Sequence, residues 1–91
     1  MVSSKVVVCN PKGVHLKPAG FLCNKALEFH ARISLKFGNK QVNAKSVLGV
    51  LSACIKYGDE VEVICDGVDE QQALTSVIES FQSGLGEEIE E

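Results

Sequence analysis

An imidazole and an ammonium group stand two residues apart in this chain, at His15 and Lys17, and Pro18 follows at once. A neutral imidazole can attack phosphorus, and free imidazole, with a pKa of about 6.5, is largely neutral near pH 7. A lysine meets phosphate oxygens as a point charge on a flexible stem. The pair therefore predicts a phosphate carrier, with the phosphoryl group on His15 and Lys17 as its counter-charge.

The element that must position this pair is a helix starting at the proline. Proline is favoured in the first helical turn, where a missing N–H leaves no partner unsatisfied. The sequence predicts a helix from about Pro18 to Phe29, with apolar residues at spacings of three and four: Ala19, Leu22, Cys23, Ala26 and Phe29. His15 and Leu16 are then expected at or beside its cap.

A helix start supplies the remaining parts of an anion site. The first backbone N–H groups of a helix have no partner inside it, and the macrodipole favours negative charge there. We therefore expect phosphate-binding amides near Leu16, Lys17 and Ala19. Phosphoryl transfer needs mainly positioning and charge stabilisation, so we expect an intermediate in phosphoryl transfer rather than an independent catalyst, with no cofactor and no metal site.

A histidine at a helix start is, on residue type alone, more often a cap or a surface residue than a carrier. The surrounding sequence favours the carrier. The stretch N-x-x-G-V-H-L-K-P-A, from Asn10 to Ala19, resembles the active-site signature of the HPr family, the histidine phosphocarriers of the bacterial phosphoenolpyruvate-dependent phosphotransferase system. The resemblance continues in order through 43–51, 58–61 and 69–74, and so covers nearly the whole chain.

This resemblance implies a function and also which ring nitrogen carries the phosphoryl group. The protein is expected to accept a phosphoryl group on Nδ1 of His15 from enzyme I and to pass it to sugar-specific enzyme IIA components. The family usually has Ala or Thr where this chain has Leu16, and Arg where it has Lys17. Lysine keeps the charge but loses the bidentate geometry of arginine, so the phosphorylated state is expected to be held less rigidly.

Ser46 is the second position with a functional interpretation. Serine is a preferred helix N-cap, and an apolar helix to about Ala53 follows it directly. In HPr relatives of some bacteria the matching serine is phosphorylated by a dedicated kinase, which implies a regulatory role and a serine kinase or phosphatase as a partner. The alternative function is therefore a regulatory paralogue, nitrogen-type or serine-switched, that acts mainly by binding proteins.

A partner must dock beside the histidine. Not all apolar residues of the short helix can face the sheet, and Phe21 lies off the apolar stripe of the first helix. Single exposed apolar residues are ordinary, so plain surface exposure is the alternative. The resemblance implies partner contacts at Leu16, Gly20, Phe21, Val47, Leu48 and Leu51, with Gly20 permitting close approach.

The remaining segments predict an α+β fold in the order β-α-β-β-α-β-α, and Asp69 with Gln72 suggests a capping box for the last helix. Short connections favour an antiparallel sheet. The resemblance implies an open-faced β-sandwich of four strands with three helices on one face. We expect one domain over residues 1–85 and a solvated acidic tail over 86–91.

The composition limits the kinds of partner and site that we expect. A net charge of −3 gives no electrostatic reason to bind nucleic acid. The four cysteines have neither disulfide-framework nor zinc-site spacing, which favours reduced thiols. No apolar run approaches the ~20 residues that span a bilayer, and no secretory signal is recognisable. We expect a cytoplasmic monomer that reaches membranes only through its partners.

Overall fold

Seven elements follow one another in the computed structural model, which describes residues 1–87. They are β1 (Val2–Val7), α1 (Leu16–Ala26), β2 (Arg32–Phe37), β3 (Lys40–Asn43), α2 (Val47–Ser52), β4 (Glu60–Asp66) and α3 (Glu70–Gln82). Their order, β-α-β-β-α-β-α, confirms the order predicted from the sequence.

The four strands form one antiparallel sheet in the spatial order β1-β4-β2-β3. Leu35 of β2 lies opposite Val63 on one side and Val42 on the other, which places these three apolar side chains on one face. Along β4 the buried Val61 and Val63 alternate with the more accessible Glu60 and Glu62. This period of two leaves one face for the core and one for solvent.

The helices cover the apolar face. Leu22 of α1, Val50 of α2 and Phe81 of α3 are fully buried in one cluster with the inward side chains of the strands. The predicted α+β open-faced sandwich, with four antiparallel strands and three helices, is therefore confirmed.

Two backbone hydrogen bonds fix the loop between β1 and α1. The Gly13 N–H donates to Asn10 O (2.9 Å), and the Val14 N–H donates to Ile55 O (3.0 Å). Gly13 has φ +70°, and a Cβ there would lie 2.6 Å from the Ile55 carbonyl oxygen. Only glycine satisfies both conditions without strain, so this loop delivers the chain to His15 along a fixed path.

Two local predictions were wrong. Helix α1 begins at Leu16 and ends at Ala26, so it starts before Pro18 and stops short of Phe29. The expected capping box of α3 is also absent, since the Asp69 side chain does not cap its own helix. Its two oxygens instead accept from the backbone N–H groups of His30 and Ala31, both at 2.8 Å. A tertiary contact has replaced a local one because the start of β2 offers two unpaired donors.

The predicted boundary between the domain and the acidic tail lies at residues 85 and 86. Leu85 is fully buried, and Gly86 and Glu87 continue along the surface of the domain. Residues 88–91, the rest of the predicted tail, lie outside the described residues. Within residues 1–87, every helix is too short or too polar to traverse a bilayer.

Candidate functional site

His15 is the N-cap residue of α1, as the sequence predicted. Its backbone is extended (φ −91°, ψ −164°), and its carbonyl oxygen accepts the first helical hydrogen bond from the Ala19 N–H at 2.9 Å. The imidazole does not cap the helix. The ring is therefore attached at the helix start while remaining available for other contacts.

Two backbone amides remain free beside this ring. The N–H groups of Leu16 and Lys17 have no acceptor among residues 1–87. Pro18 contributes no N–H, and the Ala19 N–H is already bonded to His15, so the expectation that Ala19 would offer a free amide was wrong. Leu16 and Lys17 thus supply the whole set of unpaired donors, and the helix dipole adds partial positive charge at the same point.

The two nitrogens of the His15 ring have different surroundings. Nε2 is fully covered and lies 3.0 Å from Oε2 of Glu87, although 41% of the His15 side chain is exposed. The Oε2 atom lies close to Nε2 but off the direction in which a ring N–H would point, so the contact falls short of a well-formed hydrogen bond. Of the two ring nitrogens, Nε2 is thus the one that the described residues cover.

Glu87 is itself held from the other side. Asn10 Nδ2 donates to Oε1 of Glu87 at 2.9 Å and to the Gly84 carbonyl oxygen at 2.7 Å. This hydrogen bond from Asn10, followed by the charges of His15 and Lys17, lowers the pKa of the Glu87 carboxyl from its ordinary value. Glu87 is therefore ionised at neutral pH.

A short segment after α3, which we call the C-terminal strap (Gly84–Glu87), carries this carboxylate to the site. Leu85 adopts φ +52° with its side chain buried, and its N–H donates to Ser80 O at 2.8 Å. Gly86 has φ +80°, and a Cβ there would lie 2.6 Å from the ring of Phe21. The strap therefore reverses the chain tightly and lies against α1.

Sequence reasoning missed both Asn10 and Glu87 as site residues. Asn10 was noted as the first residue of the signature stretch, with no role of its own, and Glu87 was assigned to the tail. The available signal was the run Gly84-Leu85-Gly86, because glycines directly after an apolar helix mark a chain reversal in the left-handed region. Nothing in the sequence indicates that the reversed segment meets a loop more than seventy residues earlier.

Lys17 is exposed and makes no hydrogen bond or ion pair with the residues that the structure describes. Its charge still reaches the site, since it helps to lower the pKa of Glu87. The predicted cation is therefore present and unengaged, on a side chain that can reorient.

Ser46 is the N-cap of α2, as the sequence predicted. Its Oγ accepts from the Gly49 N–H at 3.0 Å, and its backbone is extended. The side chain is half-buried. Capping is thus an observed role of Ser46, and a regulatory role stays a prediction.

The six predicted docking residues differ in exposure. Leu16 (68%) and Leu48 (80%) are strongly exposed. Phe21, Val47 and Leu51 are half-buried and pack against the core. At Gly20 an added Cβ would meet nothing within 4 Å, so the space above it is open. Exposed leucines at the starts of two neighbouring helices are the strongest candidates for partner contact.

The chain is similar to known proteins in both sequence and structure. The model of a family described as "PTS HPr component phosphorylation site" matches residues 2–83. The chain belongs to the HPr family. It is 38% identical to the phosphocarrier protein HPr of Treponema pallidum over 88 residues, covering 97% of this chain and all of that protein.

Two solved structures illustrate the range of the HPr family around this chain. The crystal structure of HPr-C-His from Thermoanaerobacter tengcongensis superposes with a TM-score of 0.92 at 31% identity, covering 98% of this chain and all of that one. Crh of Bacillus subtilis, described as a catabolite repression protein that forms a swapped dimer, superposes with a TM-score of 0.71 at 34% identity, covering both chains fully.

Proposed function

We propose that this member of the HPr family is a phosphocarrier that holds the phosphoryl group on Nδ1 of His15. The observation that carries the proposal is the position of His15 as the N-cap of α1, beside the two free amides of Leu16 and Lys17. A phosphate on Nδ1 would meet backbone donors, the helix dipole and the mobile Lys17 charge together. These are the charge-stabilising groups that phosphoryl transfer requires.

The transfer step is an in-line exchange at phosphorus. The lone pair of Nδ1 attacks phosphorus and a new N–P bond forms, while the bond between phosphorus and the donor's phosphorylated atom breaks and its electron pair returns to that atom. Donation to an acceptor reverses this exchange. No proton needs to leave Nε2 in either direction, which suits a nitrogen that solvent does not reach.

The partners in this proposal are enzyme I as phosphoryl donor and enzyme IIA components as acceptors, in the cytoplasm. Exposed Leu16 and Leu48, together with the open space above Gly20, support a docking surface around His15. The carrier acts as a monomer in this proposal, because a partner must reach the ring directly.

Phosphorylation by enzyme I tests the proposal. With phosphoenolpyruvate and enzyme I, the protein should gain one acid-labile phosphate, and His15→Ala should abolish it. His30→Ala is the matched control, because His30 is exposed and lies beyond the other end of α1. Absence of acid-labile phosphate on the unaltered protein, or its persistence in His15→Ala, would refute the carrier function.

A second candidate function is regulation through Ser46. Two observations favour it: the full-length similarity to Crh, and the Ser46 side chain at the start of the helix that carries exposed Leu48. A phosphate there would add close to two negative charges at a helix start, where the dipole tolerates them. Its effect would therefore fall on partner docking rather than on folding.

Treatment with an HPr-type serine kinase separates this function from carriage. Acid-stable phosphate should form on the unaltered protein and disappear in Ser46→Ala. Ser52→Ala is the matched control, since Ser52 is an exposed serine on the same helix. No acid-stable phosphate on the unaltered protein would remove the regulatory candidate and leave the carrier proposal standing.

A further inference from the structure

The contact between Glu87 and His15 depends on the buried side chain of Asn10, which holds Glu87 in place. Asn10 is completely buried, and its Nδ2 bonds only to the strap, through Gly84 O and Glu87 Oε1. Its Oδ1 has no hydrogen-bond partner among the described residues. A buried, unsatisfied carbonyl oxygen destabilises a fold, and an apolar side chain would avoid that cost.

The strap carries a second unfavourable feature. Leu85 holds a left-handed backbone conformation, which is strained for a residue with a side chain. The neighbouring glycine, Gly86, is pressed against Phe21 closely enough that a methyl group would collide. Strain and unsatisfied polarity thus coincide where the strap brings Glu87 to the ring, a combination typical of functional sites.

We propose that Asn10 and Glu87 are positioning residues for phosphoryl transfer, which rests on the proposed carrier function of His15. Asn10 anchors Glu87, and the Glu87 carboxylate keeps the proton of the neutral ring on Nε2. Nδ1 then carries the lone pair and is the nitrogen that attacks phosphorus. The carboxylate acts on the ring and does not touch the phosphoryl group.

The same carboxylate acts after transfer. When the Nδ1–P bond forms on a ring that keeps its Nε2 proton, the ring acquires a positive charge. A carboxylate 3.0 Å from Nε2 offsets that charge. Glu87 therefore shifts the phosphoryl equilibrium toward this protein.

Ring tautomers test the positioning step without any phosphate. In protein labelled with ¹⁵N at histidine and held above pH 8, the His15 nitrogens should report an Nε2–H ring. Glu87→Gln and Asn10→Ala should each increase the Nδ1–H fraction severalfold, and Asn10→Ala should also raise the pKa of Glu87 by removing the main cause of its lowering. Glu79→Gln, which removes an equal charge from an exposed site on α3, should change neither quantity.

The phosphoryl equilibrium tests the second step. Measured against phospho-enzyme I, Glu87→Gln should reduce the equilibrium constant for phosphorylation of His15 about threefold to tenfold, the range for a partly exposed charge contact. Glu79→Gln should leave it unchanged. Glu87 lies outside the core, so this variant keeps the fold, and Asn10→Ala is compared only after its amide spectrum shows a folded chain.

The outcomes distinguish a failure of the positioning role from a failure of the carrier function on which it rests. Unchanged tautomers and an unchanged equilibrium in Glu87→Gln would overturn the positioning role while the carrier function stands. If the unaltered protein accepts no phosphate, the carrier function fails, and the tautomer ratio still decides whether Glu87 holds the ring. A tautomer shift in Glu79→Gln as large as that in Glu87→Gln would also overturn the inference.

Discussion

Two opposite charges belong to the His15 site, one from its own helix start and one from a segment some seventy residues later. Lys17, two residues away, is free to move, whereas Glu87 is held at Nε2 by the side chain of Asn10. A mobile cation can follow a phosphoryl group as it arrives and leaves, and a fixed anion can keep the ring oriented. At this scale the site combines one pre-organised group with one adaptable group.

Substitutions at Lys17 test the value of the mobile charge. Lys17→Gln should slow phosphoryl acceptance from enzyme I by about tenfold, because a charge-assisted contact to phosphate is lost. Lys17→Arg should hold the phosphorylated state longer than lysine does, since a guanidinium can bind two phosphate oxygens at once. Single-turnover transfer of labelled phosphate measures both effects. Lys12→Gln, an exposed lysine in the preceding loop, is the control, and equal rates for the two glutamine variants would contradict the role of Lys17.

The start of α1 is the element on which the site depends. With His15 as N-cap, Pro18 occupies the third helical position rather than the first, so the free amides are those of Leu16 and Lys17. Proline marked the region correctly, because it belongs to the first turn, but it did not mark the first residue. The difference follows from the fixed loop at Gly13 and Val14, which sets where the chain becomes helical.

At the far end of α1, Asp69 predicts a pH dependence of stability. Backbone N–H donation from His30, with a further contribution from Ala31, lowers the pKa of Asp69. A carboxyl whose folded-state pKa lies below its unfolded value stabilises the fold fully above that unfolded value, near 3.9, and the contribution is lost as pH falls through the lower folded-state pKa. Urea midpoints should therefore fall with pH below about 4, and Asp69→Asn should be less stable at pH 7 with a weaker fall. A variant with the same pH profile as the unaltered protein would contradict this assignment.

For the molecule as a whole, the exposed apolar side chains near the N-termini of α1 and α2 distinguish the proposed working surface from the rest. Leu16 and Leu48 are exposed although other large apolar residues of these helices pack against the core. These exposed side chains are not part of the folded core, and they provide apolar area for a partner to cover.

Leu48→Glu tests that surface. The substitution should raise the KM of enzyme I for this protein as its phosphoryl acceptor about tenfold, because a charge would enter a contact that buries a leucine. The urea midpoint should stay nearly unchanged, because Leu48 lies outside the core. Val68→Glu is the control, because Val68 is 93% exposed and lies away from the helix start that carries His15. Its neighbour Asp69 accepts from the His30 N–H, which lies beyond the C-terminal end of α1. If both variants transfer phosphate like the unaltered protein, Leu48 is ordinary surface.

Local patterns predicted most of the elements and the candidate phosphate-accepting residue. Short runs of strand-forming residues predicted the strands, helical spacing predicted the helices, and a histidine just before a proline of the first helical turn predicted the phosphate site. These features depend on neighbours within a few residues, which is why one sequence contains them. The Ser46 cap was predictable for the same reason.

Contacts between distant residues were decided only by the tertiary structure. Local patterns did not determine the strand order β1-β4-β2-β3, the tie from Asp69 to the start of β2, or the return of the strap to the histidine. Asn10 meets Gly84 because β1 and α3 pack together, which no local pattern encodes. The local sequence thus places an imidazole at the start of a helix, and the packing of α3 against β1 determines which of its two nitrogens faces a carboxylate.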